Sequence, residues 1–292
     1  MTHVADARIA ACPDADRRLP LFLGQPKQAM SDRAIKRDSG RVRQGRGEQA
    51  AATTVPTPTG TLRTRVVGAT AIASAALVVI DNTVVGSVGS PTYGAPVKEV
   101  LAFHADHPAA VAIAVGLEAL NVPLLLLFLT GLHGLVGRRG GAGADWSRLA
   151  VAAGATLSAV MAFYAVLWDG VVLSAGDLTE PSPVLELAWQ MHAAAFAWSL
   201  PALGTTFIGA ALATHANGLT PPWQRLLGVT GGGLLLAVGA ANLAVADGSA
   251  LVFVGVAGLA AWLVWLLATG VRLMGARTAD RPDVASSSDE EE

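Results

Sequence analysis

The residues of this chain with chemical potential are few, and each stands in apolar surroundings. Glu118 and Asn121 fall within the run from Pro108 to Val136, while Asp81 and Asn82 interrupt the run that begins at Val66. Asp169, His192 and Asn242 stand in three further apolar stretches. An ionisable side chain at the centre of a bilayer costs a few kcal/mol unless it is partnered or hydrated, so these positions are where a function is expected. Carboxylates with an imidazole can bind a hard or borderline divalent cation, relay protons or hold a cationic ligand. Glu118 and Asn121 are three residues apart and share a helix face. Asp81 and His192 are the nearest candidates for partners of Glu118.

Other polar residues carry weaker signals. His104 and His107, in Phe103-His104-Ala105-Asp106-His107, have a spacing compatible with a metal, and His192 is a further weak metal candidate, but an isolated pair in a loop reads as a loop. A two-haem arrangement would set His104 or His107 with His192 outside and His133 with His215 inside. His192 and His215 lie ~34 Å apart on one helix, which leaves the inner pair at the membrane surface. No cofactor is firmly implied. The phosphate-binding, dinucleotide-binding, serine-nucleophile and zinc-protease signatures are missing. Gly86 to Ser90 reads as a helix terminus. The single cysteine, Cys12, rules out an internal disulfide and a Cys-rich metal site. No catalytic residue is assigned.

The elements that must position these residues follow from composition. The chain has 292 residues, of which 52% are hydrophobic and 14% charged, with a mean hydropathy of +0.49. Soluble domains carry about 25% charged residues, so the excess apolar surface must be buried in lipid. Residues 1–62 lack any sustained apolar period and read as a disordered cytoplasmic tail, with Met30 as an alternative start. Residues 276–292 read as a disordered acidic tail. Between them, residues 63–275 read as a membrane domain with spans at about 66–88, 109–136, 149–174, 187–213, 224–246 and 250–272. The fold class is thus an all-α bundle of six transmembrane helices. Pro123 and Pro201 fall inside the second and fourth spans.

Basic residues set the orientation. Arg63 and Arg65, then Arg138, Arg139 and Arg148, then Arg225, then Arg272, Arg277 and Arg281 mark alternate ends of the spans. The other connections hold only Lys98 among acidic Glu99, Asp106, Asp177, Glu180 and Glu186. By the positive-inside rule both termini are cytoplasmic, with Gly143 inside and Lys98 and Glu180 outside. Measured from these arginines at 1.5 Å per residue, Asp81 lies about 24 Å outward, Glu118 about 30 Å, Asp169 about 31 Å and Asn242 about 25 Å. His192 sits little more than one turn inside the outer end of its helix. The polar groups therefore share one layer near the extracytoplasmic face, which Asn82 and Gln190 join. Trp146, Trp168, Trp189 and Trp223 read as an interfacial belt, and Met161, Tyr164 and Trp168 as packing along one helix side. Gly228 and Gly232, Gly255 and Gly258, and Ala71 with Ala75 suit close helix approach, and such faces could also join copies into a homo-oligomer.

The net charge of −2 and the lack of a basic, aromatic-interleaved surface exclude a nucleic-acid partner, leaving the lipid bilayer as the one implied. The layout, with a short Arg138 to Gly141 inner loop and carboxylates near the outer helix ends, is similar to uncharacterised six-helix membrane proteins of high-GC bacteria. That resemblance covers residues 64–275, implies residence in a bacterial plasma membrane, and brings no activity or residue roles. The sequence points to handling of a small solute or ion at the outer carboxylate layer. A membrane-embedded metal or haem enzyme and a ligand-free accessory subunit are the alternatives.

Overall fold

The computed structural model describes residues 58–175 and 181–275. The two tails, Cys12, Met30, Asp177 and Glu180 lie outside them. Among the described residues the fold is entirely helical, with eight helices and no strand. These are α1 (Pro58–Ser87), α2 (Val97–Asp106), α3 (Pro108–Gly137), α4 (Ala142–Ala175), α5 (Pro183–Ala216), α6 (Pro222–Ala240), α7 (Asn242–Ala246) and α8 (Val252–Gly275). Proline opens α3, α5 and α6, where its missing N–H costs nothing. Ser182 caps α5 by accepting a hydrogen bond from the Leu185 N–H at 3.3 Å. Gly140 and Gly141, both at positive φ, make the tight turn from α3 into α4.

Five helices are long and apolar enough to cross a membrane: α1 from Leu62, α3, α4, α5 and α8. The expected span over 224–246 is divided instead. α6 has 19 residues and carries the polar Gln224 and Arg225 in its first turn, and the chain leaves the helix at Ala241. There the Ala241 N–H bonds to the Val238 carbonyl, a tighter turn than the α-helical one, between the weak helix formers Gly239 and Asn242. The other helices outrun the apolar stretches that foretell them. α4 begins at Ala142 and α5 at Pro183, because polar first turns, that of α5 capped by Ser182, extend beyond the hydrocarbon-length core.

The reading of residues 103–107 as a loop is also corrected. Residues 103–106 close α2 and His107 caps it, and its Val97, Val100, Leu101 and His104 recur at helical spacing and are all buried.

Packing links the six long helices in chain order. α1 lies against α3, α3 against α4, α4 against α5, α5 against α6 and α6 against α8, and α8 returns to α1. α2 packs on α4, and α7 on α5. Aromatic rings fill one level of the interior. Trp262 and Trp265 stack with centroids 5.5 Å apart, Phe207 meets Trp262 at 5.1 Å, and Phe128 meets Trp265 at 6.1 Å. Glycines bring backbones together elsewhere. A Cβ on Gly204 would sit 2.7 Å from the Gly232 carbonyl oxygen, and one on Gly68 would sit 2.7 Å from that of Gly270. Such approach is how helices pack where lipid removes the hydrophobic drive between them. Outward positions such as Val166, Leu173 and Phe253 are apolar and exposed.

Candidate functional site

Glu118 projects from α3 near the end at which α1 finishes and α8 begins. It is 9% exposed, and among the described residues no group donates a hydrogen bond to its carboxylate. It lines a cavity of about 230 Å³ together with Asp81, Asn82 and Asn121. Asp81 is half-buried, and its Oδ1 is buried without a hydrogen-bond partner among the described residues. Asn121 is fixed, since its Oδ1 accepts the Ser74 hydroxyl at 2.5 Å and so ties α3 to α1. The remaining wall is largely apolar, with Leu77, Val122, Leu157, Met161, Phe196 and Leu200. Trp262 of the aromatic core also lines this cavity. The wall holds two carboxylates and no lysine or arginine.

A second cavity of about 390 Å³ adjoins the first, sharing Asp81, Asn82, Tyr93, Tyr164 and Val252 as walls. It lies toward the connections 88–96 and 247–251, since Ser90, Thr92, Gly248 and Ala250 border it. The two connections touch, because a Cβ on Gly94 would fall 2.7 Å from the Asp247 carbonyl oxygen. Aromatic residues make most of its other walls.

His192 is held between the rings of Tyr164, 3.8 Å away, and Trp189, 4.9 Å away, both inclined by 22°. Its Nδ1 faces the Tyr164 carbonyl at 3.1 Å and must therefore carry the proton, which leaves Nε2 with a lone pair. Trp189 donates its indole N–H to the Tyr93 carbonyl at 3.0 Å and so pins the 88–96 connection over α5. The two tyrosines of the chain, Tyr93 and Tyr164, meet hydroxyl to hydroxyl at 3.2 Å. Burial pushes the Tyr93 phenol up from its ordinary value, and the charges of Glu118 and Asp81 add to this against the Tyr164 hydrogen bond. Tyr93 is accordingly a neutral hydroxyl.

His104 is fully engaged. Its Nδ1 donates to the Val100 carbonyl at 2.6 Å, and its Nε2 accepts the Trp168 indole N–H at 2.7 Å. Both nitrogens are used and the ring is neutral, so the weak metal role of His104 finds no lone pair to offer. Burial lowers its pKa, in keeping with that state. His107 packs edge-on against Phe103. Among the described residues no group of three or more His, Cys, Asp or Glu stands in an arrangement able to hold a metal ion. His133 pairs with the Ser147 hydroxyl at 2.8 Å, and His215 faces the Thr220 carbonyl at 3.4 Å.

No known family, curated protein or solved structure matches this chain. The reading of the site rests on its own residues. Of the residues singled out from sequence, the structure gathers Glu118, Asp81, Asn82 and Asn121 around one cavity, and His192 with Asp81 and Asn82 around the adjoining one. His192 stands ~13 Å from the start of α5, deeper than the sequence suggests, because that helix begins four residues earlier. Asp169 and Asn242 line neither cavity, and Gln190 is exposed. Asn82 spends its amide on the Val78 carbonyl at 2.8 Å.

Two tryptophans read as interfacial anchors are interior instead. Trp168 and Trp189 are 8% and 6% exposed, each with its N–H satisfied within the protein. Tyr93, Tyr164 and Ser74 are the contributors that sequence reasoning missed. The rarity of tyrosine, with one of the two in a short connection, is the trace they leave.

Proposed function

We propose that the chain is a six-span protein of the bacterial plasma membrane, with both termini cytoplasmic, that binds a small cation between Asp81 and Glu118 near the extracytoplasmic face. The carrying observation is the Glu118 carboxylate, nine-tenths buried beside a cavity and met by no hydrogen-bond donor or basic side chain among the described residues. Such a group costs several kcal/mol unless a proton or a cation compensates it. The sixth crossing is α6 with α7. α6 alone spans ~28 Å, and it fills the place between α5 and α8 in the packing order. Its modest apolarity fits a helix that buries Gln224 against Thr269 and packs through glycine. The alternation of arginines supports the orientation.

The cavity favours binding over a continuous passage, since Trp262 lines it and belongs to the packed aromatic core of Trp265, Phe128 and Phe207. A metal or haem enzyme is less well supported, with His104 committed and no three-ligand group among the described residues.

The test is thermal unfolding of the full chain in detergent across inorganic cations and simple ammonium ions. At least one is expected to raise the unfolding temperature in a saturable way, an effect lost in Glu118→Gln and Asp81→Asn. No stabilising cation, or equal stabilisation in both folded variants, overturns the reading.

A further inference from the structure

Resting on that cation-binding reading, we propose that the ligand is a small organic ammonium ion, received through the aromatic cavity and held by Asp81 and Glu118, and not a bare metal ion. Charge and walls point the same way. The inner cavity presents two carboxylates, one of them nine-tenths buried and unpartnered among the described residues, and no basic side chain. A neutral or anionic ligand would leave a carboxylate there to be neutralised by a proton, whereas an ammonium ion compensates it directly.

Magnesium and calcium take about six to eight oxygens in a compact shell. Here the carboxylates stand beside two amides, Asn121, engaged by Ser74, and Asn82, which donates to the Val78 carbonyl, while the hydroxyls of Ser158 and Ser199 are turned back to their own helices and most of the remaining wall is hydrocarbon. A water needs only about 10–15 Å³ of such space, so 230 Å³ admits a molecule of several heavy atoms. Leu77, Val122, Leu157, Met161, Phe196 and Leu200 can bury a hydrocarbon body but cannot replace the hydration shell of a metal ion.

The adjoining cavity adds an independent argument. Its walls include Tyr93, Phe103, Tyr164, Trp168 and Trp189, again with Asp81 and without lysine or arginine. Electron-rich ring surfaces attract ammonium groups, most strongly where water is excluded. The His192 Nε2 lone pair is one more acceptor on this side. Tyr93, Tyr164 and Asp81 border both cavities, so a cation passing from the outer to the inner one keeps acceptors and aromatic surface beside it throughout.

The experiment uses the full chain in a non-ionic detergent with tetraethylammonium and butylammonium chlorides, against sodium, magnesium and calcium chlorides at matched ionic strength. Tryptophan fluorescence and unfolding temperature are read together. The expected result is a saturable response to at least one of the ammonium probes and to none of the metal salts. It weakens tenfold or more in Glu118→Gln and severalfold in Tyr93→Leu, with circular dichroism and gel filtration showing both folded. Should Glu118→Gln not fold, Asp81→Asn carries the same comparison.

A saturable response to a metal salt and none to the ammonium ions overturns the ligand class and leaves the cation site standing. Response to no cation overturns both. An ammonium response unchanged in the carboxylate variants places binding elsewhere and overturns the proposal.

Discussion

Replacing Trp168 with phenylalanine keeps an aromatic ring and removes one donor, so it isolates the hydrogen bond that Trp168 makes to His104 at 2.7 Å. A neutral bond of this kind contributes about 1 kcal/mol, and leaving His104 Nε2 buried without a donor raises the total to about 1–3 kcal/mol. For a folded region of this size that lowers the unfolding temperature by roughly 2–12 °C. The pH dependence gives a second, signed signature. Burial lowers the His104 pKa in the folded state, while the unfolded chain titrates near 6.5. The stabilisation from a neutral His104 is therefore complete above pH 6.5. It is lost by about 1.4 kcal/mol per unit as pH falls from 6.5 through the folded-state pKa.

His104→Leu cannot titrate. It should be less stable than the wild type at pH 8, with the gap narrowing from pH 6.5 to 5. Unfolding in detergent, followed by near-ultraviolet circular dichroism at pH 8, 6.5 and 5, measures both effects. The Trp168→Phe and His104→Leu double-mutant cycle should give a coupling of about 0.5–3 kcal/mol. A coupling near zero, or a wild-type advantage that stays constant from pH 8 to 5, refutes the argument.

Three further outcomes are expected. Gly204→Ala drives a methyl to 2.7 Å from the Gly232 carbonyl oxygen and should cost about 1–3 kcal/mol, whereas Gly134→Ala, with open space at its Cβ, should be neutral or slightly stabilising. Equal effects in thermal unfolding would count against glycine-mediated packing of α5 on α6. Ser74→Ala removes the bond to Asn121 and should cost about 0.6–1.7 kcal/mol, the range found for hydrogen bonds between membrane helices, and an unchanged unfolding temperature argues against that link. In a Cys12→Ser background an impermeant thiol reagent applied to intact cells should label Lys98→Cys and spare Ala142→Cys, both at exposed positions. The reverse pattern refutes the orientation.

Most of the fold was legible because lipid demands long apolar runs, and α1, α3, α4, α5 and α8 fall where those runs are. The differences from expectation have local causes. Residues 103–107 read as a loop because polar residues crowd there, although Val97, Val100, Leu101 and His104 hold the helical spacing. The expected span over 224–246 ran through Ala241 because hydropathy does not register a break made by Gly239 and Asn242 within an apolar stretch. Trp168 and Trp189 read as interfacial because each falls near the end of an expected span. The tertiary partners of their N–H groups, His104 and the Tyr93 carbonyl, lie 64 and 96 residues away.

The site was half legible for a reason particular to membranes. Distance along a helix follows from counting residues from the arginines, and it placed Asp81, Glu118, Asp169 and Asn242 in one layer. Angle around the helix does not follow, because a membrane helix is apolar toward both lipid and core, and the contrast that orients a soluble helix is missing. Asp169 lies about 140° round α4 from Tyr164, so at similar depth it misses the cavities that Tyr164 lines. Met161 and Tyr164, one turn apart, share the inner wall, and Tyr164 with Trp168 share the outer one. What fixes the angle is small-residue contact, as where Ala71 and Ala75 of α1 are fully buried and Gly68 meets Gly270 of α8. Those contacts rotate α1 so that Ser74, Leu77, Val78 and Asp81, spaced at three and four residues, turn to the cavity together.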